Sequence, residues 1–349
     1  MSDEQLSWAP ADGHGESVLY AVDGPLGRAR LNRPRAINAL DLPMVRSLRD
    51  QLEAWAADDA VAAVVLDGAG ERGLCAGGDV RTLREAVLVG EYAEAEGFWA
   101  EEYALNALIS DYPKPYVAWM DGIVMGGGVG VSAHGSVRLV TERTQLAMPE
   151  TIIGFFPDVG GLWFLAHAPG ELGTHAALTG ATLGSADAVV LGMADVVVSS
   201  ASKDAVLAAL REDPARDVAA LAAGSAAPSW LEAQRTWIDA CYAGDDAAAI
   251  LRRLRARPEP EAREAADTLA QRSPHSVAVT LEALRRAAGM TVEQVLDQDR
   301  ALGAAFARHP DFAEGIRAQL VDKDRQPRWT HPGLEQVPRS EVLAAFGEA

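Results

Sequence analysis

The stretch from Lys114 to Gly161, KPYVAWMDGIVMGGGVGVSAHGSVRLVTERTQLAMPETIIGFFPDVGG, restricts what this chain can fold into more than any other. Tyr116 to Met120 is an apolar run bounded by Pro115 and Gly122, the pattern of a short buried strand. Gly126, Gly127 and Gly128 follow. With no Cβ between amide and ligand, such a run lets the backbone approach a bound group closely. A helix opening at about Val129 would present its positive end there, which suits an anion, already formed or developing in a reaction. A tight turn packed on a neighbour is the structural alternative. Downstream, Glu150 follows Met148-Pro149 and Asp158 follows Phe155-Phe156-Pro157. Apolar settings of this kind raise a carboxyl's proton affinity, and two acids in unlike surroundings can divide acid and base roles. Asp158 also precedes Val159-Gly160-Gly161 and could instead cap a helix there. Glu150 has no capping role, because its segment reads as a strand end followed by a loop.

The chain before this stretch supplies more short strands and a second glycine pair. Ser17 to Val22 and Gly27 to Asn32 read as a hairpin through Asp23-Gly24-Pro25. Arg28, Arg30, Arg33 and Arg35 crowd its second strand and exit, either to meet a phosphate-bearing ligand or as a solvated face. Asp41 reads as an N-cap with Pro43 in the first turn, and Met44, Val45, Leu48, Leu52 and Trp55 recur at helical spacing. Ala62 to Asp67 is another buried strand, running into GAGERGLCAGGDV and the pair Gly77-Gly78. Two glycine turns, each after a short strand, can supply one N–H apiece to a single oxygen, the geometry of an oxyanion hole. Glu91 to Ser110 is a long helix, where Glu101-Glu102 would ordinarily be solvated surface.

After Gly161, helices are expected over Leu162 to Ala168, Leu172 to Thr179 and Ser185 to Gly192, then a strand over Ala194 to Val198. From Ala201 the sequence is rich in Ala, Arg and Glu with helical periodicity, as in Ala205 to Arg211, Pro228 to Tyr242 and Val292 to Arg308. An α/β lobe followed by a helical lobe results, with the boundary near Ser199 to Lys203.

A formal charge of -19 over 349 residues argues against nucleic-acid or anionic-membrane partners. Two cysteines, Cys75 and Cys241, are no disulfide framework and fit a reducing compartment. The acidic start and the lack of a long apolar run point to a cytoplasmic location. There is no H-E-x-x-H, no paired C-x-x-C and no G-x-S-x-G, which removes zinc-protease and serine-hydrolase readings. Ser132 and His134 lie two apart in an apolar helix, on different faces, so His134 reads as a core or interface residue. Gly128 to Ala133 fits G-x-G-x-x-A, with Glu150 about twenty residues on, as in a dinucleotide fingerprint. Against that, Pro149 precedes the glutamate, Gly135 breaks the helix between, and the second glycine loop goes unexplained.

With these residues in hand, the chain resembles the crotonase (enoyl-CoA hydratase/isomerase) superfamily. The segments that carry the resemblance are LNRPRAINAL (Leu31 to Leu40), LCAGGDV (Leu74 to Val80), EEYALN (Glu101 to Asn106), KPYVAWMDGIVMGGGVG (Lys114 to Gly130) and AMPETIIGFFPDVGG (Ala147 to Gly161). In the helical half they are RSPHSVAVTLEAL (Arg272 to Leu284) and HPDFAEGIRAQLVDKDRQPRW (His309 to Trp329). The match is nearest to the branch of 3-hydroxyisobutyryl-CoA hydrolases. It implies an α/β fold, a crotonase-like ββα spiral core over residues 15–200 that binds acyl-CoA, followed by a helical region over 201–349 packed on it. It further implies that the amides of Gly78 and Gly127 hold the thioester oxygen, and that the Ala76 carbonyl and Arg35 take part in CoA binding. Hydratases of the superfamily carry two catalytic glutamates, and the first of those positions is Gly130 in this sequence. The hydrolase branch instead joins the surviving glutamate, Glu150, to an aspartate, Asp158, and takes a substrate-binding glutamate from the E-E-Y segment, Glu102. Glu150 is then a general base on water or a nucleophile that forms a mixed anhydride, and sequence leaves both open. No metal or redox cofactor is needed, CoA being part of the substrate. Members commonly associate, and homo-oligomerisation stays open. A hydratase or isomerase of the same fold, or a silent acyl-CoA-binding protein, is the alternative expectation.

Overall fold

The computed structural model describes residues 6–217 and 227–348. In chain order its strands are β1 (Val18–Asp23), β2 (Leu26–Leu31), β3 (Ala63–Gly68), β4 (Gly73–Cys75) and β5 (Tyr116–Met120). Then come β6 (Ile123–Met125), β7 (Val137–Thr141), β8 (Gln145–Ala147) and β9 (Val196–Val198). Six of them form one sheet in the order β1-β2-β3-β5-β7-β9. The hairpin β1-β2 is antiparallel, with Val18 opposite Leu31 and Asp23 opposite Leu26, and every later pairing is parallel. Parallel strands need both faces covered, which is why β5 is apolar at every position and buried throughout. On one face Ala63, Val65, Val117, Trp119, Val196 and Val198 alternate along their strands and meet Val206, Leu207 and Leu210 of the helix Lys203–Glu212.

The strands β4, β6 and β8 form a second, three-stranded sheet that periodicity did not reveal. Each has three residues, too few for any alternation to register. The helix Leu42–Ala57 starts as its sequence requires. Asp41 accepts the Met44 N–H at 3.0 Å, and Met44, Val45, Leu48, Leu52 and Trp55 are buried.

The chain divides into two compact units, each assembled from three segments. The first comprises Met1–Gly78, Ala104–Leu146 and Leu183–Ser229, and holds the six-stranded sheet. The second comprises Asp79–Tyr103, Ala147–Thr182 and Trp230–Ala349, and is helical. Ser199 to Lys203, the boundary expected from composition, lies inside the last segment of the first unit. In the second unit the helix Val292–Arg308 has the bounds expected of it, and it opens on a capping box in which Thr291 and Gln294 satisfy each other's backbone. No helix of the described residues is long and apolar enough to cross a membrane.

Of the arginine cluster, Arg28 and Arg30 in β2 form neither a ligand site nor a solvated face, while Arg35, beyond the strand, is exposed. Asp67 in β3 is fully buried and receives Arg28 at 2.9 Å, Arg30 at 2.6 Å and Lys203 at 2.9 Å. Asp23 likewise receives Arg211 at 2.5 Å, with Arg28 at 3.7 Å. Burial alone would raise the proton affinity of Asp67, but the Arg30 hydrogen bond and the charges of Lys203, Arg30 and Arg28 outweigh it and hold the carboxyl below the usual range. A carboxyl so depressed stabilises the fold above its unfolded-state pKa and loses that contribution only in strong acid. Asp67→Ala leaves three cations facing an apolar strand, and a urea titration at neutral pH should show a loss of roughly 3–5 kcal/mol. An unchanged midpoint would show that the network carries no stability.

Candidate active site

The strands β4 and β6 are parallel neighbours, with Gly73 opposite Ile123 and Cys75 opposite Val124. Both therefore deliver the chain to the same end of their sheet, one into Ala76-Gly77-Gly78 and the other into Gly126-Gly127. The two turns touch. Gly77 has φ +105°, and a Cβ there would sit 3.3 Å from the Met125 carbonyl oxygen and 3.6 Å from the Gly127 nitrogen. A Cβ on Gly128 would come within 2.5 Å of the Cys75 carbonyl oxygen, so only glycine lets the turns close up. The helix that follows runs Gly127–Ala133, opening two residues before the expected Val129. As its first residue, Gly127 has an N–H with no acceptor inside the helix.

The first turn is anchored from the segment before helix Leu42–Ala57. Leu40 N–H donates to the Gly77 carbonyl at 2.8 Å, and Ala76 N–H to the Ile37 carbonyl at 2.9 Å. The buried Asn38 amide reaches the carbonyls of Ala69, Gly73 and Leu74 at 3.0–3.2 Å. Ala76 and Arg35 are exposed. Ser132 donates to the Gly128 carbonyl at 2.6 Å, a bond within its own helix, and His134 is buried, as expected of a core residue.

The second unit gathers carboxyls. Glu102, Glu150 and Asp158 are 2 %, 6 % and 6 % exposed, and Asp299 is wholly buried. Burial raises the proton affinity of all four, and the charge of Asp158 raises that of Glu102, Glu150 and Asp299 further. The Asp158 carboxyl is pushed up to about 7. One oxygen each of Glu102, Glu150 and Asp299 is buried without a hydrogen-bond partner. Aromatic side chains from the same segments pack on one another. Phe155 stacks on Trp99 at 5.0 Å and packs edge to face on Phe306 at 5.4 Å, while Phe156 lies 5.2 Å from Phe306.

Local structure sets each acid's aim. Glu150 opens a 3₁₀ turn, Glu150–Ile153, where a loop was expected, because Met148-Pro149 ends the strand and the chain turns at once. Asp158 does not cap the helix Gly161–His167, whose N-cap is Gly160. Its Oδ2 instead accepts the Tyr103 hydroxyl at 2.7 Å. Burial and then the neighbouring Asp158 charge keep that phenol protonated, and hence a donor. Glu102 precedes Tyr103 on the helix Tyr92–Ser110 and is not the solvated residue that a glutamate pair suggests. Asn106, one turn on, is fully buried, and its amide has no partner at either atom.

Tyr103 and Asp299 are the residues that the sequence reading missed. Asp299 had left a signal, since it falls on the apolar face set by Val295, Leu296, Leu302 and Phe306, where a charge is out of pattern. A further cluster, His275, His309 and Glu341, has ligand atoms within 4.8 Å of one another. The two imidazoles stack with centroids 3.8 Å apart and planes 6° apart, so no single ion can lie in both ring planes. The arrangement suits a carboxylate instead. Glu341 receives His275 at 2.8 Å and His331 at 2.9 Å.

A family model described as enoyl-CoA hydratase/isomerase matches residues 26–346. The mitochondrial 3-hydroxyisobutyryl-CoA hydrolase of Danio rerio is 40 % identical over 343 residues, covering 95 % of this chain and 90 % of that one. A solved structure titled as a carnitinyl-CoA dehydratase from Mycobacterium thermoresistibile superposes with a TM-score of 0.91 at 50 % identity, covering 96 % of this chain and 97 % of the other. One titled as an enoyl-CoA hydratase from Rhodobacter sphaeroides gives 0.91 at 39 % identity, over 95 % and 97 %.

A carboxyl whose folded pKa is raised favours the fold below its unfolded value, from about 4, and that advantage is lost as the pH rises through about 7. Asp158→Asn removes this dependence. Relative to wild type, the variant should gain roughly 1–4 kcal/mol in urea titrations between pH 5 and pH 8. A constant difference across that interval would mean that Asp158 is ionised throughout.

Proposed function

Because the chain belongs to the enoyl-CoA hydratase/isomerase family, we propose that it hydrolyses the thioester of 3-hydroxyisobutyryl-CoA, or of a close short β-hydroxyacyl-CoA, to the free hydroxy acid and CoA. The observation that carries this reading is the pairing of Glu150 with Asp158 in one dry carboxyl cluster. Thioester hydrolysis needs one ionised carboxylate, to activate water or to attack the carbonyl carbon, and one proton for the leaving thiolate. Acids that raise one another's proton affinity supply both forms at neutral pH. Glu150 takes the attacking role, as general base or as nucleophile, and Asp158 holds the substrate hydroxyl or shares the proton traffic.

The remaining roles follow from the same reading. As the carbonyl carbon is attacked, its oxygen gains charge, and fixed N–H groups favour that state most. The amides of Gly78 and Gly127, in turns that touch, are the donors assigned to it. Glu102 contributes to the acyl subsite, while the Ala76 carbonyl and Arg35, both on exposed residues, take the CoA moiety. The substrate places the reaction in valine breakdown. A cytoplasmic location is part of the proposal, supported by a count of only two cysteines, too few for a disulfide framework. Its counterweight is the word mitochondrial in the name of the Danio rerio relative. Fractionation of the native host with a cytoplasmic marker enzyme tests it, and sedimentation with membranes or organelles would end it.

The second reading is a hydratase or dehydratase, favoured by the titles of the two solved structures. Against it stands Gly130, whose missing side chain offers no second catalytic acid on the helix Gly127–Ala133. Free-thiol release from 3-hydroxyisobutyryl-CoA, followed beside the enoyl absorbance of an unsaturated ester, separates the two. Thiol release should dominate, and Glu150→Gln and Asp158→Asn should each lower its kcat by roughly 10²–10⁴ with far-UV circular dichroism unchanged. Wild-type rates in both variants, or loss of enoyl absorbance without thiol, would remove the assignment.

A further inference from the structure

Asp299 has no part in the roles assigned above, yet it is the most enclosed of the four acids. Its helix, Val292–Arg308, comes close to the helix Tyr92–Ser110, because Gly303 has no side chain there: a Cβ would lie 3.2 Å from the Trp99 ring. A carboxyl on such a face is costly unless something satisfies it. Asp299 Oδ2 is satisfied by the Gly160 N–H at 2.8 Å, while Oδ1 has no hydrogen-bond partner.

The backbone held by that bond is strained. Val159 has φ +53°, a left-handed conformation that a β-branched residue rarely adopts, and Gly160 follows at φ +73°. The pair comes directly after Asp158, and the turn closes where Gly161 N–H donates to the Asp158 carbonyl at 2.7 Å. Left alone, a valine would leave this region, and the Asp158 side chain would swing with it. Asp158 is thus held at two points, by Tyr103 on its carboxyl and by Asp299 through the turn behind it.

We propose that Asp299 is a positioning residue for Asp158: by accepting the Gly160 N–H it keeps the Val159-Gly160 turn left-handed, and so keeps the Asp158 carboxyl aimed at the Tyr103 hydroxyl and the substrate. The inference rests on the reading of Asp158 as a participant in thioester hydrolysis. An acid that served only the stability of its helix would have no route to turnover through Asp158.

The test is steady-state thiol release from 3-hydroxyisobutyryl-CoA by the full chain, as wild type, Asp299→Ala, Asp299→Ser, Asp299→Asn, Asp158→Asn and the double variant Asp158→Asn/Asp299→Ala. Misplacement of a reacting group by an ångström can cost about 100-fold, so Asp299→Ala should lower kcat by roughly 10- to 100-fold, with KM within about threefold of wild type. Asp299→Asn keeps an oxygen for the Gly160 N–H and should recover to within about threefold of wild type. Asp299→Ser replaces the alanine variant if that one does not fold. In the Asp158→Asn background the alanine change should add less than about threefold, since it acts through a group already removed. Wild-type kcat in Asp299→Ala, additive losses in the double variant, or an Asp299→Asn as slow as Asp299→Ala would each overturn the proposal. A wild-type rate in Asp158→Asn would instead remove the reading of the reaction on which it stands.

Discussion

The interaction on which the second unit depends is the burial of four carboxyl groups, Glu102, Glu150, Asp158 and Asp299, each raised in proton affinity first by desolvation. An isolated carboxylate moved out of water costs many kcal/mol, and in practice such a group keeps its proton instead. Their donors are neutral: the Tyr103 phenol and backbone amides, Gly160 among them. Neither offsets a full charge. Holding several acids together under these terms means that they share fewer charges than they number, which is the condition for one site to offer a base and an acid at once. Stability is given up to obtain it, and the aromatic packing of Trp99, Phe155, Phe156 and Phe306 on three separate segments resupplies part of what is lost.

The first unit handles its buried charge in the opposite way. Asp67 and Asp23 sit among Arg28, Arg30, Lys203 and Arg211, so each is paired with cations. What the first unit contributes is backbone: two glycine turns that leave parallel strands at one end and pack so tightly that a single added methyl on Gly128 would meet the Cys75 carbonyl. Fixed amides need no reorganisation when charge develops, and that is the property a donor to a developing oxyanion requires.

Much of this was legible in the sequence. The strands β5 and β9 were visible because they are apolar without interruption, and the long helices because their period and caps agree, as at Asp41 and Thr291, whereas β7, broken by Arg138, was not expected. The glycine pairs and the two acids after Met-Pro and Phe-Pro stood out for the same reason: each breaks the pattern around it. Three things were not legible. The second sheet is made of three-residue strands, below the length at which alternation can be read. The arginines of β2 find their carboxylates in β1 and β3, shared with Lys203 and Arg211 far along the chain, and a sequence does not say which carboxylate a long side chain will meet. The interleaving of the two units likewise depends on tertiary contacts, and so a shift in composition near residue 200 marks a change of local structure and not the edge of a unit.

If the second unit works as described, part of its carboxyl cluster carries protons at neutral pH. Infrared spectroscopy in deuterated buffer reads this directly, through the C=O stretch that a protonated carboxyl shows and a carboxylate lacks. Wild-type protein at neutral pH should show that band, and Asp158→Asn should diminish it. A spectrum with no protonated-carboxyl band at neutral pH would contradict the account.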